Sequence, residues 1–196
     1  MEEELVEREL LMTGIGGQGI QLGARLLAQA LTSAGFAVSM FGSYGGMMRG
    51  GNTEATLIAG DRAIEGPPTV SRAWSCLVMH EAYAETVVER VRPGGLAVVN
   101  STLCTARPWP GGIRVLEVPA TGIADELGAV AAATLVALGA YVRGTGIVGI
   151  DDMVAALPDV LPPYRSRLLA VNERAVRAGF GHTTAAYVPA WPKAVA

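Results

Sequence analysis

Two glycine-rich segments carry the residues best suited to chemistry. The first, Gly14-Ile15-Gly16-Gly17-Gln18-Gly19-Ile20, has the spacing GxGxxG and lies between an apolar strand pattern and a helical one. Glycines in such a turn let the backbone approach a ligand closely. The free N–H groups of a helix start, with the helix dipole behind them, favour an anion such as phosphate. Gln18 adds an amide that packing alone does not call for. The second segment, Gly42 to Gly51, holds five glycines together with Ser43, Tyr44 and Arg49. A guanidinium on a glycine-rich loop is an anion-binding head. Met47 and Met48 beside it suit an adaptable contact with a partner.

A dinucleotide site needs one thing more, an acid at the end of the second strand to bind ribose. Ser39-Met40-Phe41-Gly42 stands there, with no acid. A nucleotide-binding turn, a turn that packs without a ligand and a contact surface for another chain therefore all stay open. The other polar residues suggest no catalytic set. His80 beside Glu81 is a strand-end residue, suited to capping more than to base chemistry. His182 falls in the tail, Cys76 within a strand and Cys104 in a loop where it is expected to be accessible. Asp151-Asp152 reads as a helix N-cap. No Ser–His–Asp arrangement can be assembled from the spacing. The two cysteines form no CxxC pair, so neither a metal site nor a cluster is encoded, and reduced thiols are expected.

The elements that must position the loops follow from hydrophobic periodicity. Strands are expected at Arg8 to Thr13, Ala37 to Phe41, Glu54 to Ala59, Ser75 to Met79, Leu96 to Asn100 and Ile113 to Val118. Helices are expected at Ile20 to Ala34, ended by Gly35, and at Glu81 to Val91. Four more follow, at Thr121 to Leu127, Ala129 to Val142, Asp151 to Leu157 and Tyr164 to Ala178. The first strand, helix and second strand have the length of one parallel crossover. Alternating strands and helices imply an α/β fold, a mostly parallel sheet covered on both faces, with a helix-rich C-terminal third. Both loops then lie at the carboxyl edge of the sheet, where ligands of open α/β sheets bind.

Composition narrows the function classes. A chain of 196 residues is one domain, and at this length about 70% of the unfolded surface is buried on folding. Only 17% of residues are charged and 51% are hydrophobic, which excludes a disordered chain. A net charge of −3 without a basic cluster argues against nucleic acid. The longest apolar run, Ala129 to Val142, is shorter than the roughly 20 residues a membrane span needs, and the acidic N-terminus does not read as a signal peptide. A cytoplasmic protein is expected, with apolar surface left for a partner to cover.

The two loops together, GIGGQGI at 14–20 and SYGGMMRGG at 43–51, resemble the gamma subunit of 2-oxoacid:ferredoxin oxidoreductases. Pro119-Ala120-Thr121, leading into Ala124-Asp125-Glu126-Leu127-Gly128, adds to the likeness, as do Leu138-Gly139-Ala140 and Asn172 ahead of Gly179. The resemblance runs from about Leu10 to Gly179. It implies a Rossmann-like three-layer domain over residues 1–180 and a tail at 181–196. It also implies a complex acting on pyruvate, 2-oxoglutarate or 2-ketoisovalerate with thiamine diphosphate, iron–sulfur clusters and coenzyme A. The thiamine site would lie on alpha and beta subunits and the clusters on other chains, a ferredoxin-like subunit among them. This chain would hold no cofactor permanently, supply no catalytic residue, and pair with itself when isolated. Its functional edge would be Gly14, Gly16, Gly17, Gln18, Gly19, Ser43, Tyr44, Arg49, Gly50 and Gly51, assisting coenzyme A binding or assembly. Four positions depart from the family pattern: Gly46 and Met47 where Pro-Glu is usual, Ser75 for an Asp and Thr134 for an Asn. An indolepyruvate oxidoreductase small subunit and a free-standing nucleotide-binding protein are the competing readings.

Overall fold

The first apolar stretch forms strand β1, Glu7–Ile15, whose side chains alternate between two buried faces. Leu10 and Met12 enter one core, Leu11 the other. Helix α1, Ile20–Ser33, lays Ile20, Ala24, Leu27 and Leu31 on the first of these faces. It ends in a Schellman turn: the Phe36 N–H donates to the Leu31 carbonyl at 3.0 Å and the Gly35 N–H to the Thr32 carbonyl at 3.1 Å. The remaining strands are β2 (Ala37–Tyr44), β3 (Asn52–Gly60), β4 (Ala73–Val78), β5 (Val91–Asn100) and β6 (Arg114–Val118). The structure, a computed structural model, describes residues 6–44, 51–66, 69–105, 108–183 and 188–191, with Ser43 and Tyr44 described in their backbone alone.

The strands form one sheet in the order β2-β3-β1-β4-β5-β6. Strands β1, β4, β5 and β6 are parallel neighbours, while β3 runs antiparallel to both β1 and β2. The sheet is mostly parallel, as expected, with one difference. Strands β1 and β2 point the same way but do not pair, because β3 is inserted between them. Two layers cover the sheet unequally. Helices α1, α3 (Ala120–Glu126), α4 (Ala133–Thr145), α5 (Ile150–Ala155), α6 (Leu157–Val160) and α7 (Leu169–His182) build the larger core on one face. On the other face, α2 (Ala84–Val88) packs Ala84, Val87 and Val88 against Cys76, Val78, Ala97 and Val99 of β4 and β5.

Several expected elements are redrawn by local chemistry. The helix expected at Glu81 to Val91 is a 3₁₀ turn, Glu81–Tyr83, followed by the short α2, and Val91 already belongs to β5. Pro93-Gly94-Gly95 lies within β5, where the pairing with β4 shifts between Ala73 and Ser75. Gly95 is needed there, since a Cβ would stand 2.3 Å from the Trp74 carbonyl oxygen. Pro162 and Pro163 lack N–H groups, so the segment after them opens as a 3₁₀ turn, Pro163–Leu168, before α7 begins. The aspartate pair is not the cap of α5. The cap is Gly149, whose N–H donates to Asp152 Oδ2 at 3.2 Å, and Asp151 pairs with Arg177 at 3.2 Å.

Every residue of α4 except Arg143 is buried, so α4 is a central helix, apolar all round. Its one buried phenol is paired. Tyr141 and Ser75 oxygens stand 3.0 Å apart, and Ser75 donates its single proton to the Glu9 carbonyl at 3.0 Å. Tyr141 is therefore the donor to Ser75, and burial pushes its pKa up. Ser75→Ala strands the Tyr141 hydroxyl in the core and should cost about 1–3 kcal/mol. Tyr141→Phe leaves Ser75 with its bond to Glu9 and should cost about 0.5–1.5 kcal/mol. Chemical denaturation of the two variants checks the order, and equal losses would contradict the donor assignment.

The described part of the tail, residues 188–191, lies on the domain. Trp191 stacks on Phe36 at 4.5 Å and donates to the Ile147 carbonyl at 2.9 Å. Ala190 donates to Thr145 at 2.8 Å and accepts from Arg8. No helix among the described residues is long and apolar enough to cross a membrane.

Candidate functional site

Between β1 and β4 the connections part. Helix α1 leaves β1 on one face, and α2 leaves β4 on the other. This is a topological switch point, and a crevice opens there at the carboxyl ends of the strands. The first glycine loop, Gly14 to Gly19, stands over it. The second loop returns to the same place, because β3 starts beside the end of β1, with Ile15 opposite Asn52. The Gly16 N–H donates to the Gly51 carbonyl at 2.9 Å, tying the two loops together.

Within the first loop the residues divide by task. Gln18 folds back on its own turn: its Oε1 accepts from the Ile15 N–H at 2.9 Å and its Nε2 donates to the Met79 carbonyl at 3.3 Å. Gly14 makes room for that amide, since a Cβ there would lie 2.6 Å from Gln18 Oε1. Neither residue needs a ligand to explain it. Gly17 differs: its φ is +101° and nothing lies within 4 Å of where its Cβ would stand. Gly19, at φ +80°, begins α1. Among the described residues the N–H groups of Gly17 and Gly19 have no acceptor. With the first-turn amides of α1 they leave several donors free at a helix start that carries no acidic side chain.

Side chains that the sequence pattern did not single out brace this edge. Asn100, fully buried at the end of β5, donates to the Met79 carbonyl at 3.2 Å and to Thr121 Oγ1 at 2.9 Å, and accepts from the Thr121 N–H at 3.2 Å. Asn52 donates to Glu54 Oε1 at 2.8 Å and accepts from Thr13 Oγ1 at 3.3 Å. Gln21 donates to the Glu54 carbonyl at 2.6 Å. His80, the strand-end residue expected to cap, does cap the 3₁₀ turn, its Nδ1 accepting from the Ala82 N–H at 3.2 Å. The signal that would have found Asn100 and Asn52 is an amide at a strand end, where backbone groups leave the ladder.

Of the expected site residues, the structure brings Gly14, Gly16, Gly17, Gln18, Gly19 and Gly51 together. Ser43 and Tyr44 end β2, and Arg49 and Gly50 lie outside the described residues, as do Gly46 and Met47. Cys104 is buried, against the expectation of an accessible loop thiol, because its N–H donates to the Asn100 carbonyl at 3.0 Å and turns the loop inward. Cys76 is free and buried, and burial pushes its thiol up. Among the described residues no three His, Cys, Asp or Glu side chains gather as a metal site. A cavity of about 240 Å³ lies beside α2, lined by Glu85, Glu89 and Trp109 among others, and includes no residue of either loop.

The open outer strand is the other exposed feature. Phe41 is 57% and Met40 37% exposed on β2, on opposite faces of an edge strand that carries no charge.

A mixed, mostly parallel sheet with a glycine loop at its switch point defines an α/β domain of the Rossmann-like kind. The chain belongs to the pyruvate ferredoxin/flavodoxin oxidoreductase family, whose model matches residues 9–181. It is 30% identical over 165 residues to 2-oxoglutarate synthase subunit KorC of Methanothermobacter thermautotrophicus, covering 81% of this chain and 87% of that one. It is 26% identical over 183 residues to the pyruvate/ketoisovalerate oxidoreductases common subunit gamma of Thermococcus kodakarensis, covering 89% of this chain and 96% of the other. Among solved structures, the gamma subunit of a keto/oxoacid ferredoxin oxidoreductase from Geobacter sulfurreducens superposes with a TM-score of 0.75 at 26% identity, over 89% of this chain and 95% of that one.

Proposed function

We propose that this chain is the gamma-type subunit of a cytoplasmic complex that oxidatively decarboxylates a 2-oxoacid to its acyl-coenzyme A, passing electrons to ferredoxin or a similar acceptor. The thiamine diphosphate and the iron–sulfur clusters belong to the other subunits of that complex. The observation that carries the reading is the pair of loops joined at the switch point by the Gly16–Gly51 hydrogen bond. The free amides of Gly17 and Gly19 and the start of α1 suit a phosphate, and coenzyme A brings phosphates to such a complex. Arg49, carried by the second loop, would add a charge-assisted bond to the same anion. Gln18 and Gly14 contribute by holding the loop in shape, and no catalytic step falls to them.

The test is made on the assembled complex. Arg49→Ala should reduce kcat/KM for coenzyme A about tenfold or more, the size of one charge-assisted hydrogen bond, and leave the melting temperature of the subunit unchanged. Equal activity would remove Arg49 from the site. A native protein that purifies alone, with no thiamine-binding partner, would overturn the subunit reading itself.

A further inference from the structure

We propose that Thr134, on the buried helix α4, is a positioning residue that sets the direction in which the glycine loop presents its amides. The proposal rests on the ligand role of that loop put forward above. Thr134 is 1% exposed, and its hydroxyl donates to the Gln18 carbonyl at 2.5 Å across 116 residues of sequence. With Gln18 also bonded through its backbone N–H to the Ile15 carbonyl at 3.2 Å and through both ends of its side chain, this residue is held by its N–H, its carbonyl and its amide, while the Gly19 N–H is left free among the described residues.

The consequence follows from peptide geometry. The bond between Gln18 and Gly19 is trans, as are all the described bonds, so the Gln18 carbonyl and the Gly19 N–H point in opposite directions. Anchoring the carbonyl inward on α4 aims the Gly19 N–H outward, toward the crevice. If the carbonyl were released, the peptide could rotate about its flanking bonds. Gly19, at positive φ on one side of that peptide, offers little resistance to the rotation. The set of free donors would then be lost without any change in the fold.

Threonine fits this task by using both branches. Its hydroxyl takes the loop, while its methyl Cγ2 presses on α1 at Gly23, 2.8 Å from where a Cβ would stand. The branched Cβ allows few rotamers, so the packing of the methyl fixes the hydroxyl. The wall behind is rigid, since α4 is buried on all sides. The residue is thereby a tether between the central helix and the loop.

The two branches can be separated by substitution. Thr134→Val keeps the shape and the contact on Gly23 and removes the donor, whereas Thr134→Ser keeps the donor and removes the methyl. In the full chain, hydrogen exchange of the bonded amides of Ile15, Gly16 and Gln18 should be at least tenfold faster for Thr134→Val and close to wild type for Thr134→Ser. In the assembled complex, Thr134→Val should raise the KM for coenzyme A about tenfold with kcat within a factor of two, and Thr134→Ser should restore it. Unchanged exchange in Thr134→Val overturns the proposal, whatever the kinetics. Faster exchange with an unchanged KM upholds the tether and overturns instead the reading of the loop as a coenzyme A site.

Discussion

Gly179→Ala is expected to lower the melting temperature of the chain by roughly 4–8 °C, from a steric cost of about 3 kcal/mol less the gain in helix propensity. The reason lies where α4 and α7 cross. A Cβ on Gly179 would stand 1.8 Å from the Val136 carbonyl oxygen, and one on Gly139 would stand 2.0 Å from the Val176 carbonyl oxygen. The two helices touch backbone to backbone at this pair of glycines. A long side chain could swing away from such a contact, but a Cβ cannot, so α7 as a whole would have to move outward. That movement would loosen Ala175 and Val176, both fully buried. Alanine also gains about 1 kcal/mol of helix propensity over glycine, which opposes the effect but does not reverse it. Gly181 supplies the internal control. It lies in the same helix, with nothing within 4 Å of its Cβ position, so Gly181→Ala should leave the melting temperature equal or slightly higher. Circular dichroism melts of the two variants decide the matter, and a Gly179→Ala chain as stable as wild type would refute the close crossing.

Much of this architecture is legible in the sequence because it is local. Strand β1, the glycine turn and α1 follow from an apolar run, a GxGxxG spacing and a 3.6-residue period, and the structure places all three where that pattern does. The insertion of β3 between β1 and β2 is not local. Nothing in Asn52–Gly60 alone says which strand it pairs with, and pairing with both depends on residues more than 30 positions away in β1. The same limit governs the site. Gln18 was recognisable as an odd amide in a glycine turn, but not as a brace, because that role needs Met79 and Thr134 at its side. Trp191 reads as part of an irregular tail and is in fact stacked on Phe36, from the other end of the chain. Gly139 and Gly179 look alike in sequence to any helix glycine, and their reason appears only when α4 meets α7.

The largest expected effect on assembly lies at Phe41. The two edges of the sheet are guarded unequally. Strand β6 exposes Arg114 and Glu117, charges that discourage a further strand, whereas β2 is eight residues without a charge or a proline. Its outer backbone groups are unpaired with any described strand, and Phe41 offers an aromatic anchor that stands 57% exposed. An edge without charge is suited to accept a partner strand or an apolar surface, and the low charge content of the whole chain fits such a use. Phe41→Lys places a charge where an added strand or an apolar partner surface would lie. It should weaken association with the other subunits at least 30-fold, the size of one aromatic hot spot of about 2 kcal/mol. The fold itself should be affected by no more than about 0.5 kcal/mol, since the ring is largely in solvent. Sedimentation of the mixed subunits, with the isolated chain run beside them, reads both effects. Loss of association with an intact melting curve would place the partner contact on β2. Wild-type association by Phe41→Lys would move it elsewhere, and a wild-type dimer of the isolated chain that Phe41→Lys breaks would show that this edge also pairs with a second copy of itself.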